Sequence, residues 1–83
     1  MPSPPAKAVD EAFGLVLARI RHERGFSQEG LGNASGSGRT YVSELERGKR
    51  GASLKTVFRL AEHLETPPSK IVKMVEAELR KGR

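Results

Sequence analysis

The side chains with the most chemistry to offer lie between Arg39 and Arg50, in the segment RTYVSELERGKR. An arginine and small hydroxyl-bearing residues open a predicted helix there, and Arg47, Lys49 and Arg50 cluster just past its end. Guanidinium and hydroxyl groups at a helix start can pair with base edges, while basic flanks hold phosphates. Over residues 39–59 the basic side chains are Arg39, Arg47, Lys49, Arg50, Lys55 and Arg59, opposed only by Glu44 and Glu46. The whole chain carries 15 Lys and Arg against 10 Asp and Glu, a formal charge of +5. That excess favours a polyanionic partner, with nucleic acid the leading candidate. Ordinary solubility charge is the plainer alternative. Concentration of the excess around one helix and its following loop argues for the footprint of a nucleic acid.

Other chemistry finds little support. Without cysteine there is no disulfide, thiolate nucleophile or Cys-based zinc site. His22 and His63 stand far apart with no carboxylate at metal-ligand spacing, so both read as surface or helix-end imidazoles. Ser35 and Ser37 have no general base paired with them in sequence, and the glycines around them match neither a P-loop nor a dinucleotide fingerprint. The expectation is a protein that is not an enzyme, with no metal, cofactor or small-molecule ligand. No apolar run approaches the ~20 residues needed to cross a bilayer, and MPSPPAK lacks the apolar stretch of a secretory signal. A cytoplasmic protein with no membrane partner is expected.

The elements that must position the basic segment are all helical. Eighty-three residues make one small domain. Residues 1–8, with three prolines, read as a disordered arm, leaving 9–83 as a single domain. Asp10 is the predicted cap of a first helix, in which Phe13, Val16, Leu17 and Ile20 share a face and which ends at Gly25. Ser27 caps a second helix over about 27–34, with Phe26 placed to pack on Leu31. Gly30 and Gly32 each cost roughly 1 kcal/mol relative to alanine in a helix, so this element is expected to be the least stable. A short connection, Ser35-Gly36-Ser37-Gly38, leads into a third helix over about 39–47, with Val42 and Leu45 turned to the core and Gly48 ending it. Ser53 caps a fourth, whose apolar face comprises Leu54, Val57, Phe58, Ala61 and Leu64. After Thr66-Pro67-Pro68 a fifth runs over about 69–80. No segment has strand periodicity. The fold class is all-α.

Helices two and three, joined by a glycine-containing turn, make a helix-turn-helix. The segments GFSQEGL, SGSGRTYVSELERGKR and SLKTVFRLAEHL closely resemble the lambda-repressor-like, or Xre-type, helix-turn-helix family, over about Phe13 to Leu64. The resemblance implies a compact five-helix domain that inserts helix three into the major groove of double-stranded DNA, N-terminus first. Arg39 and Thr40 then lie nearest the bases, with Ser43 and Glu44 one turn on. Glu44 reads equally as an acceptor for cytosine N4 and as a solvated charge. Gln28, at the first turn of helix two, matches the glutamine with which the family clamps a phosphate. Tyr41, Arg47, Lys49, Arg50 and Lys55 are further phosphate candidates, partial burial beside the turn being the alternative for Tyr41. The family also pairs the glutamate of its ERG segment with an arginine near the end of helix one, here Glu46 with Arg21. Three departures stand out: Gly38 replaces the usual Ser or Thr cap, Ser37 an apolar residue, and Ala52 a proline.

On helix five, Ile71, Val72, Val75 and Leu79 offer more apolar surface than so small a bundle needs. Part of this face is expected to form a two-fold homodimer interface, which would set two recognition helices about one DNA turn apart, ~34 Å. A monomer that uses the whole face in its core is the alternative. The expected function is a sequence-specific DNA-binding transcriptional regulator of bacterial or phage type, acting as a homodimer on a pseudo-palindromic operator. A protein-interaction module on the same scaffold, such as an antitoxin or antirepressor, is the alternative from another class.

Overall fold

A computed structural model describes residues 2–81 of the chain, and among these the regular structure is five helices with no strand. They are α1 (Ala6–Glu23), α2 (Gln28–Ser35), α3 (Arg39–Glu46), α4 (Leu54–His63) and α5 (Pro68–Arg80). The outer ends of the predicted arm and domain, Met1 and Gly82–Arg83, lie outside the described residues.

The first helix starts earlier than Asp10. Pro5 (φ −58°) leads directly into Ala6, Lys7 and Ala8, and the Val9 N–H donates to the Pro5 carbonyl at 3.2 Å. Proline preset near helical φ and two alanines of high propensity are enough to start the helix without a side-chain cap. Helix thus takes in residues 6–8 of the predicted arm. At the other end the Phe26 N–H reaches back to the Arg21 carbonyl and the Gly25 N–H to that of His22, each at 3.1 Å. Both predicted serine caps form: Ser27 Oγ accepts from the Gly30 N–H at 2.8 Å and Ser53 Oγ from the Thr56 N–H at 3.1 Å. Pro68 occupies the first turn of α5, where its missing N–H costs nothing.

The core is built by all five helices: Val16 and Leu17 from α1, Leu31 from α2, Val42 and Leu45 from α3, Leu60 from α4 and Ile71 from α5, closed by Leu64 just past α4. This corrects two expectations about apolar surface. Ile71 and Val75, predicted in the dimer interface, are 2% and 9% exposed and pack in the core as α5 lies along α1. Leu79 is half-buried against the same core, and only Val72 of the four stands out, at 54% exposed. A domain with few apolar residues uses most of its last helix to close itself. On α4 the buried stripe is Val57, Leu60, Ala61 and Leu64, so Leu54 and Phe58, read as members of its apolar face, are 68% and 56% exposed and lie outside the core.

Two glycines set how closely the helices approach. At Gly14 an added Cβ would collide with the Leu45 carbonyl and come within 2.7 Å of that of Glu46, so α1 lies directly on the C-terminal backbone of α3. At Gly32 it would collide with Gly38 and come within 2.6 Å of the Arg39 nitrogen. Gly32 is therefore a packing requirement of the helix-turn-helix, and its cost in helix propensity is offset by close contact at the turn. No helix is long and apolar enough to cross a membrane among the described residues.

Candidate nucleic-acid interface

The turn between α2 and α3 aims the third helix. Gly36 (φ 74°) ends α2 in the left-handed region, and the Gly38 N–H donates to the Gly32 carbonyl at 3.0 Å. Gly38 itself has φ 88°, a conformation that a serine or threonine cap would adopt only with strain. That accounts for the glycine at this position. Between the two, Ser37 buries its hydroxyl with no hydrogen-bond partner among the described residues. An apolar side chain would suit the same space.

Val42 and Leu45 fix the inner side of α3, both fully buried. Arg39 and Thr40 are exposed at its N-terminus, and Ser43 and Glu44 are half-exposed one turn further. The helix ends in a tight reversal in which the Lys49 N–H donates to the Glu44 carbonyl at 3.0 Å and the Gly48 N–H (φ 71°) to that of Leu45 at 3.1 Å. Arg47, Lys49 and Arg50 follow at the surface, with Lys55 exposed in the first turn of α4. Arg47 Nε bonds the Ser43 carbonyl at 3.4 Å.

Behind this surface lies a buried polar junction. The Arg21 Nε and Nη2 donate to the two carboxylate oxygens of Glu46 at 2.5 and 2.9 Å, and Nη1 donates to the Phe26 carbonyl at 2.9 Å. The side chains are 8% and 7% exposed. Hydrogen bonding to Glu46 holds the Arg21 guanidinium above its ordinary pKa, outweighing burial, which pushes it down. Gln28 joins the same junction, its Nε2 donating to Glu46 Oε1 at 2.9 Å. The amide expected to face a phosphate thus also ties the first turn of α2 to the end of α3.

The structure brings Tyr41, Glu44 and Arg50 together, which sequence spacing did not reveal. Arg50 Nη1 lies 3.3 Å from Glu44 Oε1, and its guanidinium carbon stands 4.9 Å from the centre of the Tyr41 ring. The six-residue separation of Glu44 and Arg50 matches no helical pairing rule, because the chain reverses between them. Gly14 was also missed, although a lone glycine inside an amphipathic helix is a signal of close packing. No cluster of three or more His, Cys, Asp or Glu able to hold a metal occurs among the described residues.

Five helices, a glycine-closed turn and an exposed polar start to the third helix define a helix-turn-helix DNA-binding domain. The chain belongs to the helix-turn-helix family of lambda-repressor-like, Xre-type transcription regulators, whose family model matches residues 17–71. Members of this family are DNA-binding regulators rather than enzymes. The chain is 41% identical over 51 residues to the HTH-type transcriptional regulator y4dJ of Sinorhizobium fredii, a match covering 61% of this chain and 66% of that protein, just under two thirds of it. It is 38% identical over 64 residues to the control protein C.SmaI of Serratia marcescens, covering 77% and 76% of the two chains. Among solved structures, the restriction-modification controller protein C.AhdI of Aeromonas hydrophila superposes with a TM-score of 0.78 at 37% identity, over 82% of this chain and 99% of that one. The clp gene regulator ClgR of Corynebacterium glutamicum gives 0.84 at 25% identity, over 95% and 81%.

Proposed function

We propose that this protein regulates transcription in a bacterial cytoplasm by binding an operator as a homodimer, with α3 in the major groove. The observation that carries the reading is the mounting of α3. Its inner face is wholly committed to the fold, while Arg39 and Thr40 project from its N-terminus and a basic loop follows its C-terminus. Arg39 reads guanine O6 and N7, a contact that discriminates by about 1–3 kcal/mol, and the Thr40 methyl and hydroxyl read a neighbouring pair. Ser43 and Glu44 face the next step. Arg47, Lys49, Arg50 and Lys55 neutralise phosphates, and Gln28 and Tyr41 border the same backbone. Arg21 and Glu46 keep α1 and α3 in register without touching DNA.

The dimer contact is assigned to the three most exposed large apolar side chains: Leu54 and Phe58 on α4 with Val72 on α5. Val72 rims an apolar slot of about 170 Å³ whose lining includes Val9, Phe13, Val57, Ile71 and Val75. A two-fold pairing of this surface presents two recognition helices to half-sites ~34 Å apart.

The test begins with selection of bound sites from random duplex DNA, followed by affinity measurements for the selected site and for random DNA. Arg39→Ala is expected to weaken the first far more than the second. Equal weakening removes Arg39 as a base reader. Absence of duplex binding at low salt would favour the protein-interaction alternative. Similarity that spans nearly all of C.AhdI supports control of a restriction–modification locus as the particular role. Footprinting on genomic DNA checks it, since that role requires a bound site beside an endonuclease or methyltransferase gene.

A further inference from the structure

Tyr41, Glu44 and Arg50 form a cluster beside the base-reading residues that DNA binding alone leaves unexplained. The reversal at Gly48 carries the chain back along α3 and places the Arg50 guanidinium against two of its side chains at once. Glu44 Oε1 lies 3.3 Å from Nη1, and the Tyr41 ring centre lies 4.9 Å from the guanidinium carbon. Tyr41 and Glu44 are three residues apart, neighbours on one helix face. Arg47 and Lys49, in the same basic run, have no acidic partner among the described residues.

We propose that Glu44 is an internal competitor for Arg50. In the free protein the carboxylate holds the guanidinium over Tyr41; on DNA the guanidinium exchanges that carboxylate for a phosphate, with the ring as its pivot. The proposal rests on the reading of Arg50 as a phosphate ligand. A planar guanidinium binds carboxylates and phosphates through the same fork of N–H donors, so the two anions compete for one group. The exchange costs little because both side chains are solvated, 52% and 35% exposed. Pairs of that kind shift an equilibrium by only about two- to five-fold. Every binding event must break the contact, so Glu44 lowers the affinity of the basic loop for any duplex and restrains binding to random DNA.

The test is a double-mutant cycle on a random-sequence duplex, read by fluorescence anisotropy at several salt concentrations. It uses the unaltered protein, Glu44→Gln, Arg50→Ala and the double variant, each checked for helicity. Glu44→Gln is expected to tighten binding about two- to five-fold when Arg50 is present, and at least about two-fold less when it is absent. Its steeper salt dependence should likewise vanish with Arg50→Ala. Equal tightening in both backgrounds overturns the exchange and leaves Glu44 acting as a plain repulsive charge. If Arg50→Ala alone leaves affinity unchanged, the phosphate assignment itself fails and the exchange with it, a result distinct from the first.

Discussion

Replacing Glu46 by alanine is expected to remove a large share of the domain's stability. Its carboxylate accepts from Arg21 Nε at 2.5 Å, Arg21 Nη2 at 2.9 Å and Gln28 Nε2 at 2.9 Å. Alanine leaves a buried guanidinium with only the Phe26 carbonyl as a partner, and an amide with none of its present contacts. Breaking one side of a buried pair costs about 3–5 kcal/mol, mostly from the stranded charge. At roughly 0.05–0.15 kcal/mol per residue, an 83-residue domain has on the order of 4–12 kcal/mol in total. The loss corresponds to a fall in Tm of about 12–40 °C. Urea unfolding followed by far-UV circular dichroism measures it directly. Glu76→Ala provides the internal contrast, since the Arg80–Glu76 pair is 3.7 Å long with side chains 75% and 62% exposed. That variant should change stability by no more than ~0.5 kcal/mol. The double variant Arg21→Met with Glu46→Leu should recover much of the loss, because no charge remains buried. Pairing raises the Arg21 pKa, so its contribution is fully present below the ordinary arginine value and is lost only as pH rises into strong alkali. The effect should therefore be the same at pH 6 and pH 9. A loss below ~1 kcal/mol for Glu46→Ala would refute the argument that this junction braces α3.

Gly32→Ala should destabilise by about 2–3 kcal/mol, because the new methyl meets the backbone of Gly38 and Arg39. Gly30→Ala, two residues away, meets side chains alone, Ser27 Oγ at 3.1 Å and the Phe26 ring at 3.6 Å, and should be neutral or stabilise by up to ~1 kcal/mol; thermal melts of the two check the order. Ser37→Ala removes an unpartnered buried hydroxyl and should raise stability by about 1 kcal/mol, a difference that denaturant midpoints resolve. Phe58→Glu leaves the core intact and should convert a dimer into a monomer of 9.1 kDa by sedimentation; an unchanged mass would take α4 out of the contact.

The five helices were legible because their signals are local: serine caps, terminating glycines, and apolar residues spaced at 3.6. Arg21 and Glu46 came from family likeness, since a separation of 25 positions gives no local clue to contact. What escaped depends on how helices meet. Leu54 and Val57 carry similar side chains, and only the packing of α4 against its neighbours decides which is inside. Ile71 and Val75 looked surplus until α5 was laid along α1. The same is true of Gly32, whose cost within its own helix is local but whose contact with Gly38 is not. Asp10 failed as a cap for the opposite reason: three ordinary residues before it were already good helix formers.

The close seat of α1 on α3 at Gly14 has a consequence for how such a protein can change over time. Everything that orients the recognition helix sits on its hidden side: Gly14 beneath the Leu45 and Glu46 carbonyls, Gly32 against the turn, and Val42 and Leu45 in the core. The side chains of Arg39 and Thr40 take no part in that mounting, and exposed substitutions of this sort usually move stability by no more than ~0.5 kcal/mol. Drift at these two positions therefore meets almost no folding penalty. A duplicated copy could acquire a new target sequence by single steps, each yielding a folded protein, while the frame that delivers the helix stays fixed.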